Sequence, residues 1–323
     1  MRNKSSNSTS SGLVKNLEIQ LDTQFQHFNE GSFKTRERYK AAMERFVEFL
    51  ASEFRLQKIT NISSKHLIQY VDQMKQDGKS PSTIKTDVSA IRYFQHHCGS
   101  KNILVDNSIL CLDKRQTNKI DNSWTTKEVE MAKQLSKQMG RMDVYFAITL
   151  AENFGLRLEE CCRLTVDKIL VAVDTGELEV KGKGGQTRFI KVDTLIQFIA
   201  LAEILKYADT LKKLKCEKIL VDNIKDATKK RKDSIQNWLG NHRDKFQEAF
   251  RNQKSGSALG NLKPVKKTIN FHGLRSYYSN NLYNQKKNIL HGKDLLYYIS
   301  EQLGHHRAEI TRIYLKYKKV PLK

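Results

Sequence analysis

The sequence predicts two domains, one helical and one mixed, giving a mainly α-helical protein with a small antiparallel β-sheet. Three observations predict it. Apolar residues recur at helical spacing within residues 13–112, and a polar segment without any period follows over 113–123. Beyond it, helical patterning is interrupted between Lys168 and Val192 by short apolar runs and glycine turns. A chain of 323 residues is long enough to bury two cores.

Residues 1–12, rich in Ser and Asn, are too polar to bury anything and read as a disordered lead. Tyr39, Met43, Phe46, Val47, Leu50 and Phe54 then fall on one helix face, while Arg36, Arg38, Glu44, Arg45 and Glu48 fill the others. A second helix fits Ser64 to Gln76 with Leu67, Ile68, Val71 and Met74 inward, and Gly78 ends it. The third starts at Ser80-Pro81-Ser82-Thr83, because proline fits a first helical turn, and buries Ile84, Val88, Ile91 and Phe94. Residues 13–112 thus form a helical bundle, and 113–123 a linker. From 124 to 323 the pattern is mixed. A strand-like stretch from Lys168 to Val192, broken at Asp174-Thr175-Gly176 and Gly184-Gly185, predicts short antiparallel strands between helices.

Lys and Arg number 57 against 35 Asp and Glu, a net charge of +22, so the surface attracts a polyanion, with nucleic acid foremost. The excess is distributed, with runs at Lys212 to Lys218, Lys229 to Lys232 and Lys316 to Lys319. No stretch approaches the ~20 apolar residues of a membrane span, and the start lacks the apolar core of a signal peptide, so a soluble cytoplasmic protein is expected. Five cysteines without metal-ligand spacing read as reduced thiols. His96-His97-Cys98 reads as no metal site, since adjacent helix positions diverge.

Three segments concentrate cationic and proton-transfer groups: Gly155 to Glu160, His272 to Arg275, and Leu303 to His306 followed by Tyr314. With Lys183 in the expected hairpin they supply two arginines, a lysine, two histidines and a tyrosine, a set suited to phosphoryl transfer. A phosphodiester under attack builds charge on its non-bridging oxygens, and the forks of Arg157 and Arg275 can hold that charge bidentately. Tyr314 would be the nucleophile, with His272 as candidate base, because a phenol with a reference pKa near 10 needs help to lose its proton. Lys183 would protonate the leaving 5′ oxygen.

These segments resemble the tyrosine recombinase, or phage integrase, family over most of the chain. Gly155, Leu156, Arg157 and Glu160 match its Gly-Leu-Arg-x-x-Glu motif. Gly182, Lys183, Gly184, Arg188, Phe189 and Ile190 follow its hairpin motif, which favours Lys183 over Lys181. His272, Leu274 and Arg275 match its His-x-Leu-Arg box, and Leu303, Gly304 and His305 its Leu-Gly-His box. The family's tyrosine lies nine residues past that last histidine, which selects Tyr314 over Tyr317 and makes His306 a neighbour of the functional His305. Residues 80–84 resemble the third helix of its core-binding domain.

The resemblance implies a helical core-binding domain (SAM-like) ahead of a catalytic domain, acting on double-stranded DNA as a tetramer. It also implies a 3′-phosphotyrosyl intermediate, no cofactor and a nucleoid-associated location, with an accessory directionality factor left open. Glu160 is expected to buttress Arg157 or a backbone amide, and the pairs Tyr277-Tyr278 and Tyr297-Tyr298 to pack. Ser276 stands where many members have His, and only nine residues follow Tyr314, where many members have a longer helix. The short lead favours a simple two-domain enzyme, either a Xer-like resolvase or a mobile-element integrase. The competing readings are a non-catalytic DNA-binding regulator with the same fold and a type IB topoisomerase.

Overall fold

Capping chemistry sets many of the helix boundaries. The computed structural model describes residues 5–28, 30–114, 122–182, 185–222, 224, 226–248, 269–304 and 315, with backbone only for 5–10. The chain divides into two compact units, Met1–Asn118 and Lys119–Lys323. Most of the expected linker lies outside the described residues.

The first unit holds α1 (Ser5–Phe25), α2 (Phe33–Phe54), a 3-10 turn (Ile59–Asn61), α3 (Ser64–Gln76) and α4 (Pro81–His97). The Ser32 hydroxyl caps α2 by accepting from the Thr35 amide, and Ser80 does the same for α4 from Thr83, with Pro81 opening the helix. Leu17, Leu21, Met43, Phe46, Leu50, Leu67, Ile84, Ile91 and Phe94 meet in one core. Helix α1 begins inside the segment read as a disordered lead. Ser and Asn in a helix cost under about 1 kcal/mol each, so a helix anchored by buried Leu17 and Leu21 runs back through them. Asp87, also buried, accepts from Arg45 at 2.9 Å and from the Tyr70 hydroxyl at 3.3 Å.

The second unit runs α5 (Thr126–Gln138), α6 (Met142–Phe154), α7 (Leu158–Arg163), α8 (Val166–Thr175), β1 (Glu177–Lys181), β2 (Thr187–Lys191), α9 (Leu195–Thr210), α10 (Ala227–His242), α11 (Gly273–Lys286) and α12 (Gly292–Leu303). Helix α6 is apolar on nearly every side and runs through the core, with residues of α5, α7, α9 and α10 sharing its cluster. Strands β1 and β2 pair antiparallel with Val180 opposite Arg188, and the Gly182 amide donates to the Gln186 carbonyl at 2.7 Å to close the hairpin. A smaller core joins Tyr278, Leu282, Leu295, Leu296, Ile299, Leu303 and Leu315.

This architecture bears out the mainly helical class with one small antiparallel sheet. One part of the strand-like stretch is corrected: residues 168–175 are helical. Val166, Ile169 and Ala172 face the core at helical spacing, and Gly176, at φ +72°, is the C-cap of α8 rather than a hairpin turn. Of the paired tyrosines, Tyr277 and Tyr278 are buried, whereas Tyr297 is 63% exposed. Among the described residues no helix is long and apolar enough to cross a membrane. Cys98, Cys161 and Cys162 are buried, and Cys111 and Cys216 are exposed.

Candidate active site

Helix α6 ends at Gly155 with φ +61°, and a Cβ there would sit 2.4 Å from the Tyr278 ring, so only glycine fits. The Gly155 carbonyl then accepts from Arg275 Nη1. Two residues on, Arg157 is the extended N-cap of α7. Glu160, in the first turn of α7, reaches back. Its Oε2 accepts from the Arg157 amide at 2.8 Å and its Oε1 from Arg157 Nη1 at 2.7 Å. Glu160 thus buttresses both the side chain and the backbone amide of Arg157.

The same carboxylate collects two further arginines. Arg188 on β2 donates through Nη1 at 3.0 Å and Nη2 at 2.8 Å, a bidentate pair with both side chains almost wholly buried. Arg275 on α11 is 0% exposed; its Nη1 lies 3.8 Å from Glu160, and its Nη2 donates to the Leu303 carbonyl at 2.7 Å. Burial alone would raise the Glu160 carboxyl, but the bonds and charge of Arg188, then the Arg157 amide and Arg275, hold it down at about 2. Three permanently charged guanidiniums around one carboxylate leave a local excess of two positive charges. Of the three arginines only Arg157 reaches solvent appreciably, its side chain being 31% exposed.

The structure therefore brings Arg157 and Arg275 together through Glu160. His272 is the exposed N-cap of α11, one turn before Arg275, whose amide donates to the His272 carbonyl at 3.1 Å. Lys183, His305 and Tyr314 lie outside the described residues. Their chain neighbours do not. A Cβ on Gly182 would lie 3.6 Å from both Glu160 Oε1 and Arg188 Nη1; one on Gly304 would lie 2.7 Å from Arg188 Cδ. Leu315 is 2% exposed, in the core beneath Tyr278 and Leu303.

Arg188 is the residue whose part in this cluster the sequence reading missed, having taken it only as a piece of the hairpin motif. Its phase was the available signal. On β2 it points the same way as buried Ile190, and a charge on the core face of a strand has to be paired. Two of the basic runs are also partly spent on structure. Arg231 pairs with Asp143 at 3.0 Å, Lys232 with Glu159 at 2.9 Å, and Lys213 donates to the Val221 carbonyl at 2.9 Å. Burial pushes the Cys161 thiol well up and that of Cys162 up to about 12, so neither is a nucleophile at neutral pH. Among the described residues no group of three His, Cys, Asp or Glu is placed to hold a metal ion.

A helical unit followed by a mainly helical unit with one hairpin is the tyrosine-recombinase fold. A lambda integrase tetramer bound to a Holliday junction matches it with TM-score 0.60 at 16% identity, over 95% of this chain and 80% of that one. XerH site-specific recombinase, bound to a palindromic difH substrate in a post-cleavage complex, matches with TM-score 0.59 at 18% identity, over 94% and 82%. In sequence, residues 122–319 match the phage integrase family profile and residues 26–99 the phage integrase N-terminal SAM-like domain. The chain belongs to the phage integrase family. Tyrosine recombinase XerC of Chlamydia pneumoniae is 28% identical over 144 residues, 43% of this chain and 45% of the relative, so the match spans under half of that protein's length.

Proposed function

We propose that this protein is a site-specific DNA recombinase that cuts and rejoins duplex DNA through a 3′-phosphotyrosyl intermediate at Tyr314. The observation that carries the reading is the gathering of Arg157 and Arg275 by one ionised, buried carboxylate. Their positive charge is fixed before any phosphate arrives, and preorganised charge is what an anionic pentavalent transition state rewards. Removing one such group typically costs about 100- to 1,000-fold in rate.

In the proposed reaction the Tyr314 phenol oxygen attacks the scissile phosphorus and its proton passes to His272. The P–O5′ bond breaks as Lys183 gives a proton to the leaving oxygen, and His305 and the two arginines hold the phosphoryl oxygens. One phosphodiester replaces another, so the bond energy is retained without ATP. A partner strand's 5′-hydroxyl then reverses the step. Four copies acting on paired sites would exchange strands through a Holliday junction, the kind of assembly in which the lambda integrase structure was seen. Duplex DNA is the proposed partner and the nucleoid the proposed location, with an accessory directionality factor as a further component. Binding by lysines and arginines would weaken steeply with salt.

The test uses a pool of nicked duplexes with a randomised core, incubated with the full chain and separated on a denaturing gel. The wild type is expected to yield a covalent DNA adduct whose sequences converge on one site. Tyr314→Phe should yield none, and Tyr317→Phe should behave as wild type. An adduct that survives Tyr314→Phe sinks the assignment. Relaxation of a supercoiled plasmid without site preference would point to a topoisomerase instead.

A further inference from the structure

We propose that Arg188 is a positioning residue that sets the hairpin bearing Lys183 in register with the arginine cradle, and so governs protonation of the leaving 5′ oxygen. The inference rests on the recombinase reading above. Its basis is that one guanidinium ties together three chain segments, each leading to a different candidate group. Arg188 belongs to β2, five residues beyond Lys183, on the strand that leaves the hairpin tip. Through both Nη atoms it grips Glu160, which in turn holds Arg157. Through Nε it donates to the Gln302 carbonyl at 3.2 Å, in the last turn of α12 and three residues before His305.

The contact is shaped as well as charged. Gly304 caps α12 at φ +64°, and a Cβ there would fall 2.7 Å from Arg188 Cδ and 3.3 Å from Nε and Nη1, so the absent side chain is what lets the arginine pass beneath this helix end. The Arg188 side chain is only 6% exposed, and each of its three nitrogens donates to Glu160 or Gln302. It therefore acts on the reaction through what it holds, not by touching DNA. Planarity matters here: one fork satisfies two carboxylate oxygens and a carbonyl at once, which a lysine ammonium of shorter reach cannot do in the same geometry. Leu178, Val180 and Ile190 seat the hairpin in the core, and the Lys191 amide donates to Gln302 Oε1 at 3.3 Å; to these Arg188 adds a charged tie to α7 and α12 one residue from the end of β2 that faces the tip.

The experiment uses the duplex recovered by the capture described above, made once with the ordinary 5′ oxygen and once with a bridging 5′ sulfur at the scissile bond. Sulfur departs as a thiolate without needing a proton, so it bypasses a misplaced general acid. With the full chain in excess, Arg188→Lys is expected to slow adduct formation on the oxygen substrate by about 100-fold, the scale of an ångström's misplacement. On the sulfur substrate the deficit should shrink to under about 10-fold. Lys183→Ala combined with Arg188→Lys should be no slower on oxygen than Lys183→Ala alone, because both changes remove the same proton delivery.

An equal deficit on both substrates, an additive double variant, or no deficit at all overturns the proposal. Thermal melts of Arg188→Lys and Arg188→Met accompany the kinetics; failure of both to fold makes Arg188 a residue of the fold alone and overturns it equally. A wild type that captures no DNA overturns the recombinase reading, and this inference with it. Wild-type capture together with an unimpaired Arg188→Lys overturns the inference only.

Discussion

Asp87 in the helical unit and Glu160 in the mixed unit are both almost wholly buried, at 1% and 4% exposure, and each meets an arginine with both carboxylate oxygens. Their surroundings differ. Arg45, the partner of Asp87, keeps half of its side chain in water, and the remaining contact is the Tyr70 hydroxyl, so the site is close to neutral. Glu160 lies among Arg188 at 6% exposure, Arg275 at 0% and Arg157 at 31%. One pair fastens α2 to α4. The other holds more positive charge than it neutralises and shows that excess outward through Arg157. Burial of an ion pair alone does not mark a functional site; the sign and exit of the surplus charge do.

The largest effect that tests this contrast is on stability. Glu160→Ala leaves Arg188 and Arg275 buried beside no carboxylate and is expected to cost about 3–5 kcal/mol. Asp87→Ala should cost only about 1–3 kcal/mol, because Arg45 can turn to water. Trp124 and Trp238 both lie in the second unit, so urea unfolding followed by indole fluorescence reads the first change, and far-ultraviolet dichroism reads the second. Equal costs would break the comparison.

Next comes Arg157→Ala, which should lower adduct formation by about 100- to 1,000-fold while moving the melting temperature little. Arg45→Ala should leave the rate at saturating protein unchanged. A catalytic loss from Arg45→Ala as deep as that from Arg157→Ala would erase the distinction between the two sites.

The third effect is a dependence on acid. The folded pKa of Glu160, about 2, lies below its ordinary 4.5, so ionisation favours the folded state. That contribution, on the order of 3 kcal/mol, is complete above pH 4.5 and is lost as pH falls toward 2. Indole-monitored unfolding of the wild type should therefore weaken through this window, and Glu160→Gln should flatten the slope there. An identical slope in the variant would assign the acid sensitivity to other carboxylates.

Much of the helical unit was legible because its signals are local. Ser80-Pro81 carries the cap and the first turn of α4 in adjacent residues, and α3 spans the residues its apolar spacing indicated. Helix α8 was read as strand for a physical reason: Leu170, Val171 and Val173 are apolar yet 39%, 54% and 40% exposed, so both faces looked buried and the period was hidden. In the site, Arg157, Arg275 and the buttressing role of Glu160 followed from motifs a few residues long. The bond from Glu160 to Arg188 spans 28 positions and leaves no period, so it became visible only once β2 was folded against α7.

The distribution of the cysteines has a practical consequence. Three thiols are shut away, and burial raises those of Cys98, Cys161 and Cys162. Cys111 and Cys216 remain open to solvent, one in each unit. Maleimide dyes at neutral pH should therefore settle on one position per unit, giving a natural donor and acceptor pair. Energy transfer between them can then test whether adding a duplex changes the distance between the two dyes, with no residue altered.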